Sequence, residues 1–132
     1  MTHLASGTFD VKLSAQRPDN REAEAAKLAR MSIDKQFHGD LEATSKGEML
    51  SAVSSVRGSA GYVALERVNG ALQGRQGSFV LQHNGIMARG TPQMTIAVVP
   101  DSGADQLTGL CGDMTVRMEG GQHFYELHYT LP

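Results

Sequence analysis

The chain has 132 residues, with 12 Lys and Arg against 14 Asp and Glu, a net charge of −2, 15 Gly and only seven aromatic residues, none of them Trp. That length makes a single domain over 1–132, able to bury roughly two-thirds of its unfolded surface. The slightly acidic balance, with no extended basic run, argues against nucleic acid as a partner. The single cysteine, Cys111, allows no intramolecular disulfide, which suits a reducing cytoplasm, bacterial or other. Met1–Leu13 has neither the basic start nor the apolar run of a signal peptide, and no segment is apolar for long enough to span a membrane.

Period-two alternation dominates the chain, and turn signals interrupt it at short intervals. Leu4–Leu13 reads as a first strand with Phe9, Val11 and Leu13 on one face, closed by Pro18-Asp19-Asn20. Arg21–Arg30 has the Ala and Glu content of a helix but no apolar stripe. At most one short helical turn is expected near residues 20–28, leading into a strand over Leu28–His38 with Met31, Ile33 and Phe37 on one face. After a turn at His38-Gly39-Asp40, Thr44–Val56 alternates weakly, with Met49 and Val53 on one side. Tyr62–Leu72 and Arg75–Asn84 form a central hairpin, and Gln93–Val99 runs to the turn Pro100-Asp101-Ser102-Gly103. Leu110–Met118 and His123–Leu131 make a last hairpin around Glu119-Gly120-Gly121-Gln122. Eight antiparallel strands in so short a chain form an all-β closed barrel or a sandwich. A closed barrel of eight strands either fills with side chains or holds one small ligand.

A two-residue turn at Gln73-Gly74 pairs Leu72 with Arg75, Val68 with Phe79, Glu66 with Leu81 and Ala64 with His83. Glu66, Val68, Phe79, Leu81 and His83 then share one face. Glu66 and His83 are diagonal neighbours, about 7–8 Å apart at the backbone. Such a pair is a base with its orienting partner, a buried pair satisfying itself, or a surface pair in water. The last hairpin puts Met118, Val116, Met114 and Gly112 opposite His123, Tyr125, Leu127 and Tyr129 on a core face. Its other face carries Asp113 opposite His128 and Thr115 opposite Glu126, with Arg117 next to Phe124. The five His lack zinc-site spacing, and neither a metal nor a cofactor is expected. Cys111 falls inside a strand, where an inert buried thiol is expected.

Glu66-Arg-Val-Asn-Gly70-Ala-Leu-Gln-Gly74-Arg-Gln-Gly77-Ser-Phe79-Val-Leu-Gln-His83-Asn-Gly85 resembles the signature of a bacterial family, "domain of unknown function 3224". The flanking stretches Ala5-Ser-Gly7-Thr8-Phe9, Phe37-His-Gly39-Asp40-Leu41, Val99-Pro100-Asp-Ser-Gly103 and Leu107-Thr-Gly109-Leu110-Cys-Gly112 fall in the order of that family. Met87-Ala-Arg89 departs from its more Gly- and Asp-rich pattern. The family is similar in fold to allene oxide cyclase and the dirigent proteins. The resemblance implies an eight-stranded antiparallel β-barrel, a small apolar or phenolic ligand, and self-association as a dimer or trimer. It assigns no catalytic residue.

The expected function is therefore binding of a small, partly apolar molecule in the barrel. Glu66 and His83 would be the polar anchors, with Tyr62, Phe79, Met49 and Met94 as wall residues. The alternatives are an isomerase or cyclase in which Glu66 and His83 shuttle a proton, and a solidly packed barrel that acts through its outer surface.

Overall fold

A computed structural model describes residues Met1–Pro132. Its elements in chain order are β1 (His3–Gln16), α1 (Arg21–Ala25), β2 (Leu28–Gly39), β3 (Leu41–Val53), β4 (Ala60–Leu72), β5 (Arg75–Ala88), β6 (Thr91–Val98), the two-residue β7 (Ala104–Asp105), β8 (Cys111–Glu119) and β9 (Gln122–Thr130). Each long strand pairs antiparallel with its neighbours in the ring β1-β2-β3-β4-β5-β6-β8-β9, and β9 returns to β1. The result is a closed eight-stranded antiparallel β-barrel. The β7 strand is an accessory bridge to Gly77 and Ser78 of β5.

The hairpins take the registers read from the sequence, and the turn residues explain why. Gln73 and Gly74 have φ of 45° and 85°, and Gly120 and Gly121 have φ of 59° and 80°. A two-residue turn with both residues at positive φ matches the twist of the strands it joins. Arg89-Gly90, at φ 47° and 89°, is a third such turn, so β5 runs four residues past Asn84 and β6 begins at Thr91. Asn84-Gly85 reads as a strand end in the sequence, yet Gly85 lies within β5 for a packing reason. A Cβ there would meet Tyr62 Cε1 at 2.2 Å, so the glycine makes room for the Tyr62 ring. The third strand likewise starts earlier and ends earlier than its alternation suggests, at Leu41 and Val53. Asn20 caps α1, its side chain accepting hydrogen bonds from the backbone of Glu22 and Ala23.

Alternate residues point inward, and one end of the barrel is filled. Phe37, Leu41, Val68, Leu72, Phe79, Leu81, Tyr125 and Leu127 are buried there, and Leu107 and Leu110 of the loop after β7 pack against them. The Tyr125 hydroxyl ties this end together: it accepts from the Leu41 N–H at 2.9 Å and donates to the His38 carbonyl at 2.9 Å. The opposite end is open. The β9 strand leaves β1 at Phe9, although β1 and β2 run on together to Gln16. The β6 and β8 strands share a single bridging pair, Ala97 with Asp113.

Cys111 corrects an expectation. It begins β8 with its thiol exposed, not buried, because the inward positions of β8 are the even ones, Gly112, Met114 and Val116, opposite Tyr129, Leu127 and Tyr125.

Candidate functional site

Where the apolar packing stops, the inward positions turn polar. Glu66 on β4 faces Gly47 of β3 on one side and Leu81 of β5 on the other. Its side chain is fully buried. A Cβ at Gly47 would lie 2.6 Å from Glu66 Cα, so glycine is the residue that lets β3 pass this close to the acid. The carboxylate has three donors. Ser45 Oγ donates to Oε1 at 2.6 Å, Lys35 Nζ donates to Oε2 at 2.8 Å, and His83 Nε2 lies 2.5 Å from Oε2. Burial by itself would raise the Glu66 pKa. The hydrogen bonds from His83, Lys35 and Ser45 and the charge of Lys35 overrule it and hold the group at about 2. Glu66 is therefore an anion at neutral pH, balanced by a buried ammonium. Lys35 Nζ also sits over the Phe9 ring, 4.8 Å from its centroid.

The chain of contacts continues toward the open end. His83 gives Nε2 to Glu66, and its Nδ1 lies 3.5 Å from the Tyr62 hydroxyl. Since a carboxylate only accepts, Nε2 carries the proton, and in the neutral ring Nδ1 is a bare acceptor. Tyr62 is half-buried, its hydroxyl 2.9 Å from Met94 Sδ. Burial, and then the Glu66 charge, raise the Tyr62 pKa, so the phenol keeps its proton. Every buried side-chain nitrogen and oxygen has a partner.

Above this layer the inward positions are mostly apolar, with Ser51 and His123 the polar ones, and several are open. Leu13, Met87, Met94, Met118 and Val53 are 43–70% exposed, although each shares the parity of the buried residues of its strand. Met49 lies between Met31 of β2 and Ala64 of β4 on the same inner wall. The methionines thus divide: Met114 belongs to the core, and the others on the inward face ring the mouth.

A protein-family model described as "Protein of unknown function (DUF3224)" matches residues 5–129. The chain belongs to the DUF3224 family. It is similar to a DUF3224 protein of unknown function from Shewanella oneidensis MR-1, seen in a crystal structure. The two share 52% sequence identity over 100% of this chain and 98% of that one, with a TM-score of 0.94. No curated protein matches.

In this DUF3224 barrel, Glu66, His83, Tyr62 and Met94 come together as one connected group, and Met49 lies on the wall beside it. Phe79 is fully buried one layer below, opposite Val68, and forms the floor. Lys35, Ser45 and Gly47 are site residues that the sequence reading passes over. The signal for Lys35 is present: it lies between Ile33 and Phe37 on an apolar inward face, where an ionisable group needs a buried partner. Ser45 and Gly47 carry no such signal, because a small residue on a strand has many uses.

Proposed function

We propose that this protein holds a small, partly apolar molecule at the open end of its barrel, with the Glu66–His83 pair as polar anchor. The observation that carries this reading is the run of inward-facing yet exposed apolar side chains above a buried Lys35–Glu66–His83 chain. Mostly apolar walls with a few placed polar groups describe a ligand site, and thioether side chains adapt to irregular shapes. The test is native mass spectrometry of freshly purified protein, followed by denaturation to release anything bound. A stoichiometric adduct supports the reading. An apo mass, together with no uptake of apolar probes, refutes it. The proposed likeness to allene oxide cyclase and dirigent barrels is one of fold and is supported by the closed eight-stranded antiparallel barrel. A cytoplasmic setting is proposed from the unpaired, exposed Cys111, and cell fractionation checks it.

A separate observation favours self-association. The outer face of β2–β5 carries Leu28, Leu50, Val63, Leu65 and Ile86, each 43–55% exposed, along a broad surface concavity that Pro18, Asp19, Asn20 and Ala23 also line. Four strands some ten residues long cover on the order of 600 Å², close to the roughly 800 Å² that each partner of a standard interface contributes. Four of the charges beside the face are paired within the chain, Arg30 with Glu48 and Lys46 with Asp34, while Arg67 bonds only the Ser78 hydroxyl. We infer that a second copy covers this face. Sedimentation velocity should show a dimer that Leu65→Glu dissociates, and a wild-type monomer at all concentrations refutes it.

A further inference from the structure

The chain from Lys35 to Tyr62 has a direction, and the direction constrains the ligand. Its inner end is balanced: the Glu66 carboxylate takes the Lys35 ammonium at 2.8 Å, and Lys35 is almost wholly buried. No cationic charge is left over from this pair to attract an anion. Its outer end is an acceptor. His83 spends its Nε2 proton on Glu66 and turns Nδ1 toward the mouth.

The group that meets Nδ1 is a phenol of the chain itself, and it is held loosely. The Tyr62 hydroxyl stands 3.5 Å from Nδ1, at the limit of a hydrogen bond, and its nearer contact is the Met94 thioether, a weak acceptor. Its ring lies over the gap left by Gly85. Tyr62 is half-buried, next to the exposed Met94 and Met87. A side chain placed this way can swing outward without breaking a strong bond.

We infer that the seat beside His83 receives a neutral molecule through an O–H or N–H donor, and that Tyr62 is a gate whose hydroxyl fills the seat when no ligand is there. This rests on the reading of the open end as a ligand site. A carboxylate ligand would bring a second negative charge toward Glu66, with Lys35 already committed. A purely apolar ligand that displaces Tyr62 would leave Nδ1 with no hydroxyl in reach, and a buried acceptor without a donor is costly.

Three matched aromatic probes test this: naphthol, which donates; methoxynaphthalene, which cannot; and naphthoate, which is an anion. Naphthol should bind the wild-type protein roughly tenfold tighter than methoxynaphthalene, the fold-change of one net hydrogen bond, and naphthoate should bind weakest. His83→Gln keeps a donor toward Glu66 but removes the Nδ1 acceptor, so the ratio of naphthol to methoxynaphthalene affinity should fall toward one. Tyr62→Phe removes the competing hydroxyl and should tighten naphthol binding several-fold. Nitrogen NMR of the wild-type protein gives a readout that needs no variant: the Nδ1 resonance should be that of an unprotonated ring nitrogen and should move on adding naphthol but not methoxynaphthalene. Equal affinity for naphthol and its methyl ether overturns the donor requirement while leaving the ligand site standing. Preference for naphthoate overturns it in favour of an anion seat. Weaker naphthol binding by Tyr62→Phe overturns the gate, because Tyr62 would then be a contact to the ligand. Failure of all three probes to bind removes the ligand site itself.

Discussion

Acid should unfold this barrel partly through one residue, Glu66. Its carboxylate sits at about 2 in the folded chain against an ordinary 4.5, and a difference of one unit is worth about 1.36 kcal/mol. The folded value is the depressed one, so the stabilisation is fully present above about pH 5 and is lost as pH falls toward the folded value. The whole contribution is about 3 kcal/mol, of which roughly 2.5 kcal/mol should be gone by about pH 2.5. That is a large share of the 5–15 kcal/mol typical of a domain. Other carboxylates titrate over the same window, so the assay compares two proteins. Urea unfolding is followed at about pH 5.5 and about pH 2.5 for the wild type and for Glu66→Gln. The variant is less stable at the higher pH, because Lys35 stays buried without its counter-charge, but its loss between the two pH values should be smaller by about 2.5 kcal/mol. Parallel losses in the two proteins would refute the claim that His83, Lys35 and Ser45 hold Glu66 ionised.

Gly47→Ala puts a methyl group 2.1 Å from the Leu65 carbonyl and 2.6 Å from Glu66 Cα. It should cost about 3 kcal/mol or more, read as a fall of roughly 4 °C in Tm per kcal/mol; an unchanged Tm contradicts the close approach of β3 to Glu66. Tyr125→Phe removes the hydroxyl that joins Leu41 and His38 at the closed end. It should cost about 1–3 kcal/mol by urea unfolding, without changing probe binding at the mouth. Lys35→Met alone strands the Glu66 carboxylate and should cost about 3–5 kcal/mol, whereas Lys35→Met with Glu66→Leu should regain most of that loss. If the double variant is no more stable than the single, the cation and the acid are not a coupled pair.

Most of the barrel is legible in the sequence because its information is local. Positive-φ turns at Gln73-Gly74 and Gly120-Gly121 set two registers, and period two then assigns every facing residue from Glu66 to His83. The missed details depend on other strands. Gly85 resembles a turn residue until the Tyr62 ring is seen over it, and by ending the strand at Asn84 it hides the true turn at Arg89-Gly90. Cys111 looks buried because it falls inside a strand, but parity within β8 puts it outside. The site was half legible for the same reason. Glu66 and His83 lie in one hairpin, so their proximity follows from one turn, whereas Lys35 reaches Glu66 from β2, two strands away around the barrel. No local pattern in the chain encodes that approach.

The placement of the Lys35–Glu66–His83 chain argues that it does more than satisfy the core. Three apolar side chains of similar volume would fill the same layer with no desolvation cost, and buried ion pairs are often neutral or worse than such replacements. If only Glu66 needed balancing, Lys35 and Ser45 would suffice, since they already supply a charge and a second hydrogen bond. His83 adds a third partner whose second nitrogen serves no structural end inside the barrel and faces Tyr62 at the mouth. The polar layer also falls where packing gives way to exposed inward methionines, not at the filled end, where Leu41, Leu72, Leu107 and Leu110 close the lumen. An acceptor aimed at the open end of the barrel is what the proposed binding site requires.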